Sequence, residues 1–251
     1  MVVKDFRLEY NVNFFGGGAD NIRNLDLDLV PAKLVNLNPS PWLREVLSNA
    51  LLHMRITSRT LSRKLIDNML LTVISRMHEV DPYLPKLHLS SEVAFKYHHK
   101  PTNKLWNGRL DYSIGIDRTG REGQGWDHSM YICDAWRLGS LEKATALLTG
   151  YLAVLRESRI SSGRPDKFVY GATSDGVDWQ FYCITSTGVL KISRRFSLKD
   201  PSGLDVVFRV LKGVIFEAIK EYHRFDTGKV DIVKLYDKVF DEDGDVIEVE
   251  I

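Results

Sequence analysis

The apolar positions of this chain switch from helical spacing to alternation, and the switches mark out its elements. Trp42, Val46, Leu47 and Ala50 recur at intervals of three and four, and Pro41 suits a first helical position. A second helical run, Leu61 to Met77, carries Leu65, Met69, Leu70 and Val73, with Ser58 or Thr60 placed to cap it. Asp81-Pro82 and Leu84-Pro85 end the helical region, because a residue before proline is pushed out of the α conformation. Alternation and β-branched or aromatic residues then predict strands at Glu92 to Tyr97, Arg109 to Ile116 and Met130 to Ala135. The Gly-rich, polar stretch Asp117 to Ser129 between the last two is expected to be a loop.

Ser140 precedes a helix over Leu141 to Arg156, with Ala144, Leu147, Leu148, Tyr151 and Leu155 on one stripe. Strands at Phe168 to Ala172 and Trp179 to Thr185 flank the turn Thr173-Ser174-Asp175-Gly176, where Asp175 suits turn geometry and Trp179 and Phe181 share a core face. Ser202 to Tyr222 is an amphipathic closing helix. Ahead of all this, the alternation Leu25 to Leu29 fits an edge strand. Phe14 to Gly18 reads as a flexible turn: it lacks the Gly-Lys-Ser/Thr ending of a phosphate loop.

The order helix, three strands, helix, two strands, helix predicts an α/β fold with a mixed central sheet flanked by helices. One domain is expected over 41–225, with a helical part at 41–80, a sheet core at 86–200 and a closing helix at 202–222. An N-terminal extension covers 1–40 and an acidic tail 226–251.

Composition narrows the function classes. The net charge of +1 makes the chain no polycation, so contact with a polyanion must come from local patches. One such patch carries Lys86, Lys96, Lys100, Lys104 and Arg109 against the single acid Glu92. Cys133 and Cys183 lie in apolar runs and read as core thiols of a reducing compartment. The chain has no CxxC pair, no apolar run near the ~18 residues of a membrane span and no leader-like start, and the expectation is an intracellular protein of nucleus or cytoplasm. A Gly-x-Ser-x-Gly elbow is also missing, so serine-nucleophile chemistry has no support.

The candidate chemistry lies in three acids. Glu92, Asp111 and Asp134 each sit on or beside a strand-like run, and a carboxylate inside an apolar strand is costly unless it is paired or metal-bound. Carboxylates delivered by adjacent strands suit a divalent cation, the usual engine of phosphodiester hydrolysis. A structural, hydrogen-bonded aspartate is the competing reading for each. His98 and His99, adjacent in a strand, point to opposite faces and do not read as a ligand pair.

The order of these motifs resembles the PD-(D/E)XK nuclease superfamily, the restriction-endonuclease-like fold. Glu92 matches its first acid and Gly108-Arg109-Leu110-Asp111-Tyr112 the strand bearing the metal aspartate. Ile132-Cys133-Asp134-Ala135-Trp136-Arg137 stands where acid-any-lysine belongs, and Tyr170 to Tyr182 matches the following hairpin. The likeness spans roughly residues 40 to 225. It implies Glu92, Asp111 and Asp134 as ligands of Mg²⁺ or Mn²⁺ in an active enzyme. Two departures stand out: Trp136 takes the lysine's seat, and Leu147 the helix position that often carries glutamine.

An indole N–H cannot accept a proton, and losing one preorganised cation costs on the order of 10²–10³ in rate. Lys143 and Lys96 are candidate replacements for that lysine. Trp136 either stacks on a base or plugs the former site, and Arg137, Lys100, Lys104 and Arg109 are the candidate phosphate contacts. Two expectations follow. The first is a catalytically weakened or inactive nuclease-like module that binds nucleic acid (DNA before RNA) or a protein, without a metal. The second is an active Mg²⁺-dependent DNA endonuclease with a relocated lysine. Relatives of this fold include dimers, so a homodimer stays open.

Overall fold

The computed structural model describes residues 22–24, 37–54, 58–82, 84, 86–99, 103–116, 129–136, 141–164, 168–226, 239–240 and 246–247. Helix α1 (Pro41–His53) opens with Ser40 accepting from Leu43 N, and α2 (Arg59–Val80) with Ser58 accepting from Leu61 N. Both caps satisfy an amide that the first turn would leave without a partner. Strands β2 (Leu87–His99), β3 (Lys104–Ile116) and β4 (Ser129–Ala135) follow, then α3 (Leu141–Ser161). Next come β5 (Val169–Ser174), β6 (Asp178–Ile184), β7 (Leu190–Ile192), β8 (Phe196–Ser197) and α4 (Gly203–Asp226).

The fold is α/β. One mixed sheet runs in the order β1-β7-β6-β5-β4-β3-β2, where β1 is Ile22–Asn24, and β8 pairs with β6. The meander β2-β3-β4 is antiparallel; α3 then crosses over so that β5 lies parallel to β4. A separate antiparallel pair joins β9 (Val239–Phe240) to β10 (Val246–Ile247).

The sheet is covered on both faces. One apolar cluster joins α1, α2 and α4 to Tyr112, Ile114, Cys133, Ala135, Trp179 and Phe181. The other joins α3 to Phe95, Trp106, Leu110, Val169, Tyr182 and Ile184. Trp179 and Phe181 are fully buried and stack at 6.3 Å, as their shared parity predicts. Cys133 and Cys183 are buried and not joined in a disulfide. Asp175 Oδ1 accepts from the amides of Val177 and Asp178, closing the β5–β6 turn through Gly176 at φ +88°.

The observed elements extend several predicted ones. β2 and β3 each run 13 residues, well past the expected strands, because paired partners carry the ladder through polar positions such as Lys96 opposite Asn107. β7 and β8 had no sequence signal of their own; they are too short to show alternation. The predicted strand at 25–29 and turn at 14–18 lie outside the described residues, as does the predicted loop 117–129 except for Ser129, which opens β4. Among the described residues no helix is long and apolar enough to cross a membrane.

Candidate functional site

Strand register assembles the candidate residues into one line across the sheet. Ser91 pairs with Tyr112 and Val93 with Leu110, which sets Glu92 across from Asp111. Tyr112 pairs with Cys133, so the next position along sets Asp111 beside Asp134. Asp134 pairs in turn with Thr173, and Thr173 with Gln180. Five polar positions thus run perpendicular to the strands. The side chain of Asp134 lies outside the described residues.

The ladder is broken where this line crosses β2. Glu92 has φ +55°, a left-handed backbone that a glutamate adopts only when its surroundings hold it there. Packing changes at the same point along β3. Leu110 belongs to the cluster under α3, whereas Tyr112 and Ile114 belong to the cluster under α2 and α4. The β2–β3 hairpin therefore turns over at Glu92 and Asp111, which frees both carboxylates from the apolar layers.

Two arginines from α2 occupy the acids. Asp111, 3% exposed, accepts from Arg59 Nη2 at one oxygen and from Arg63 Nη2, 2.5 Å away, at the other. Its Oδ2 also accepts from the backbone amide of Ala135 at 2.9 Å. The same Arg63 Nη2 donates to Glu92 Oε1, and Arg109 Nη1 lies 3.4 Å from Glu92 Oε2. Arg59 Nε donates to the carbonyl of Ala135 at 3.0 Å, tying α2 to the end of β4. Arg59 and Arg63 are four residues apart, so one helix face presents both.

Every carboxylate oxygen of Glu92 and Asp111 thus has a donor, and buried charges paired in this way are the form that low-dielectric surroundings tolerate. Burial works against the charge on Arg63, but Glu92 and Asp111 outweigh it and hold its pKa above the usual arginine value. The Arg63 guanidinium also lies over the Tyr112 ring, 5.9 Å from its centroid, and Tyr112 Oη donates to the Arg63 carbonyl at 3.1 Å. Burial, reinforced by Asp67, pushes the Tyr112 hydroxyl far above the ordinary tyrosine value.

These contacts bear on metal binding. Among the described residues, no three His, Cys, Asp or Glu side chains gather as a ligand set. The two carboxylates that do meet are each held by guanidinium donors, and Asp111 by an amide as well, so as arranged a divalent cation would have to displace these donors.

The remaining candidates are spread out. Trp136 is half-buried just beyond β4, where its amide donates to the Ser174 carbonyl at 2.8 Å and prolongs the β4–β5 pairing. Lys96 is exposed on β2, and Arg109 is exposed on β3 next to Glu92. Leu147 packs against the α3-side core. Lys104 and Lys143 lie on β3 and α3, with their side chains outside the described residues, as are Lys100 and Arg137 altogether. His98 Nε2 bonds Asn103 Oδ1 at 2.9 Å across the hairpin.

Sequence reasoning missed two groups. Arg59 and Arg63 lie about fifty positions upstream of Asp111; the only cue was an i,i+4 arginine pair on the polar side of a predicted helix. The second group is a hydroxyl cluster. Tyr182 Oη lies 2.7 Å from Thr145 Oγ1 and 3.3 Å from Thr173 Oγ1, and donates to Gln180 Oε1 at 3.0 Å. It satisfies the buried end of the polar line beside α3, and burial raises the Tyr182 pKa.

No protein-family model matches this chain, and no curated protein matches it in sequence.

Proposed function

We propose that this chain is a catalytically inactive nuclease-like module of the PD-(D/E)XK type, which binds nucleic acid and does not cut it. One observation carries the reading: Arg59 and Arg63 hold the carboxylates of Asp111 and Glu92, the positions a catalytic cation would need. A guanidinium neutralises these acids but cannot activate water, because it has no open coordination position and does not give up its proton near neutral pH. The half-buried Trp136 in the lysine's seat points the same way, since an indole supplies neither charge nor base.

Support for a nucleic-acid partner comes from charge. Three guanidinium groups meet the carboxylates of Asp111 and Glu92 here, and the Arg59 and Arg109 side chains are 52% and 67% exposed. Exposed arginines suit phosphate oxygens, which accept two parallel N–H bonds from one guanidinium. The element order helix, three antiparallel strands, helix, parallel strand is in keeping with the resemblance.

The test incubates the purified protein with plasmid and with single-stranded DNA in Mg²⁺ or Mn²⁺, and measures retention on DNA as salt is raised. Intact substrates with salt-sensitive retention are expected. Cleavage that disappears in Asp111→Ala would instead establish an active metal-dependent enzyme. Intact substrates with no retention would leave a protein-facing role.

A further inference from the structure

The outer half of the β2–β3 hairpin leaves the sheet as a two-stranded ribbon. β4 pairs with β3 only from Tyr112 onward, and β2 is the last strand in the sheet order. Among the described residues, Val93–His99 and Lys104–Leu110 therefore pair only with each other. At about 3.4 Å per residue the ribbon extends roughly 20 Å.

Its two faces differ completely. On one, Phe95, Trp106 and Leu110 are buried against α3, with Val93 and Tyr97 packed beside them. The Phe95 and Tyr151 rings meet edge to face at 5.4 Å, Tyr151 Oη donates to the Arg109 carbonyl at 3.1 Å, and Tyr97 Oη lies 2.9 Å from Ser161 Oγ. Gly108 permits this closeness, since a Cβ there would lie 2.7 Å from the Phe95 ring. On the other face Ala94, Lys96, His98, Leu105 and Arg109 are exposed and belong to neither apolar cluster. Its described charges are Lys96 and Arg109, with Arg59 at the inner end; Glu92 bonds Arg63 and lies 3.4 Å from Arg109, and Arg59 bonds Asp111 while the Arg59 and Arg109 side chains both stay more than half exposed.

We infer that this bare face is a docking surface for duplex DNA, with the ribbon lying in the major groove and Lys96, Arg109 and Arg59 against the phosphates. This rests on the nucleic-acid reading above and adds the face and the form of the ligand. Three features carry it. The charge is complementary to a phosphate backbone. A two-stranded ribbon, its strands about 4.8 Å apart, fits a groove about 12 Å wide. The ribbon's large aromatic rings (Phe95, Tyr97, Trp106) all face α3, and among the described residues the bare side carries only the His98 ring, bonded to Asn103, a small platform for unstacked bases. The α3 packing holds the ribbon rigid, so little ordering accompanies docking.

The experiment titrates labelled duplex DNA, and the single strand of the same sequence, with the full chain at several salt concentrations. Fluorescence anisotropy is the readout. Duplex is expected to bind more tightly than single strand. Lys96→Gln/Arg109→Gln should lose roughly tenfold in affinity per cation removed and lower the slope of log K against log salt by about 2. Ala94→Glu, which sets a carboxylate across from Arg109 on the same face, should weaken duplex binding with both cations still present. Lys199→Gln, at an exposed position away from the ribbon, should bind like the parent chain. Duplex binding that survives both ribbon variants, or a preference for the single strand, overturns the docking face while the nucleic-acid reading stands. Binding of neither form overturns that reading, and the docking face with it.

Discussion

Arg63 joins carboxylates from two strands with one nitrogen, and the buried Asp111 is the member that cannot do without it. Asp111→Ala would leave Arg63 without its buried counter-charge and the Ala135 amide without an acceptor. A loss of about 3 kcal/mol in a urea titration is expected, the lower end for breaking a buried pair because both arginines reach water. Glu92→Gln should cost less than about 1 kcal/mol, since the Glu92 side chain is 42% exposed. Lys212 offers a pH test. It is 1% exposed, donates to the Leu37 carbonyl, and its pKa is lowered from 10.5 to about 8 by burial and then by Arg209. The unfolded chain thus binds more protons than the folded one between about pH 8 and 10.5, so this group makes stability rise with pH there and fall as pH drops through 8. Melting temperatures between pH 7.5 and 9.5 should carry that upward contribution in the parent chain and lack it in Lys212→Met.

At the scale of elements, the two helical runs, the closing helix and the β5–β6 hairpin were legible because each carries its own period and its own stop or cap signal. Ser58, Pro41 and Asp175-Gly176 act locally, through hydrogen bonds to nearby amides or a fixed φ, so the sequence alone displays them. The turnover of the β2–β3 hairpin at Glu92 was not legible. Alternation continues unbroken in the sequence while the packing partner changes from α3 to α2 and α4. The β5–β6 turn also leans on a distant element. A Cβ on Gly176 would lie 2.9 Å from the Ser62 carbonyl of α2, and its φ of +88° disfavours any side chain. Gly176→Ala is expected to cost about 1–3 kcal/mol, seen as a lower urea midpoint at unchanged m-value.

For the whole molecule, the residue order already determined an α/β fold, because helical and alternating segments succeed one another in a pattern that closes only as helices on a mixed sheet. It also singled out Asp111, since a carboxylate inside an apolar strand must find a partner somewhere. Which partner it finds was decided by tertiary structure alone. Packing α2 across the end of the meander delivers Arg59 and Arg63 to Asp111, some fifty positions away, and no local period encodes that meeting. Strand register likewise drew Glu92, Asp111, Asp134, Thr173 and Gln180 into one line, because pairing depends on how the strands align and not on the spacing between them in the chain.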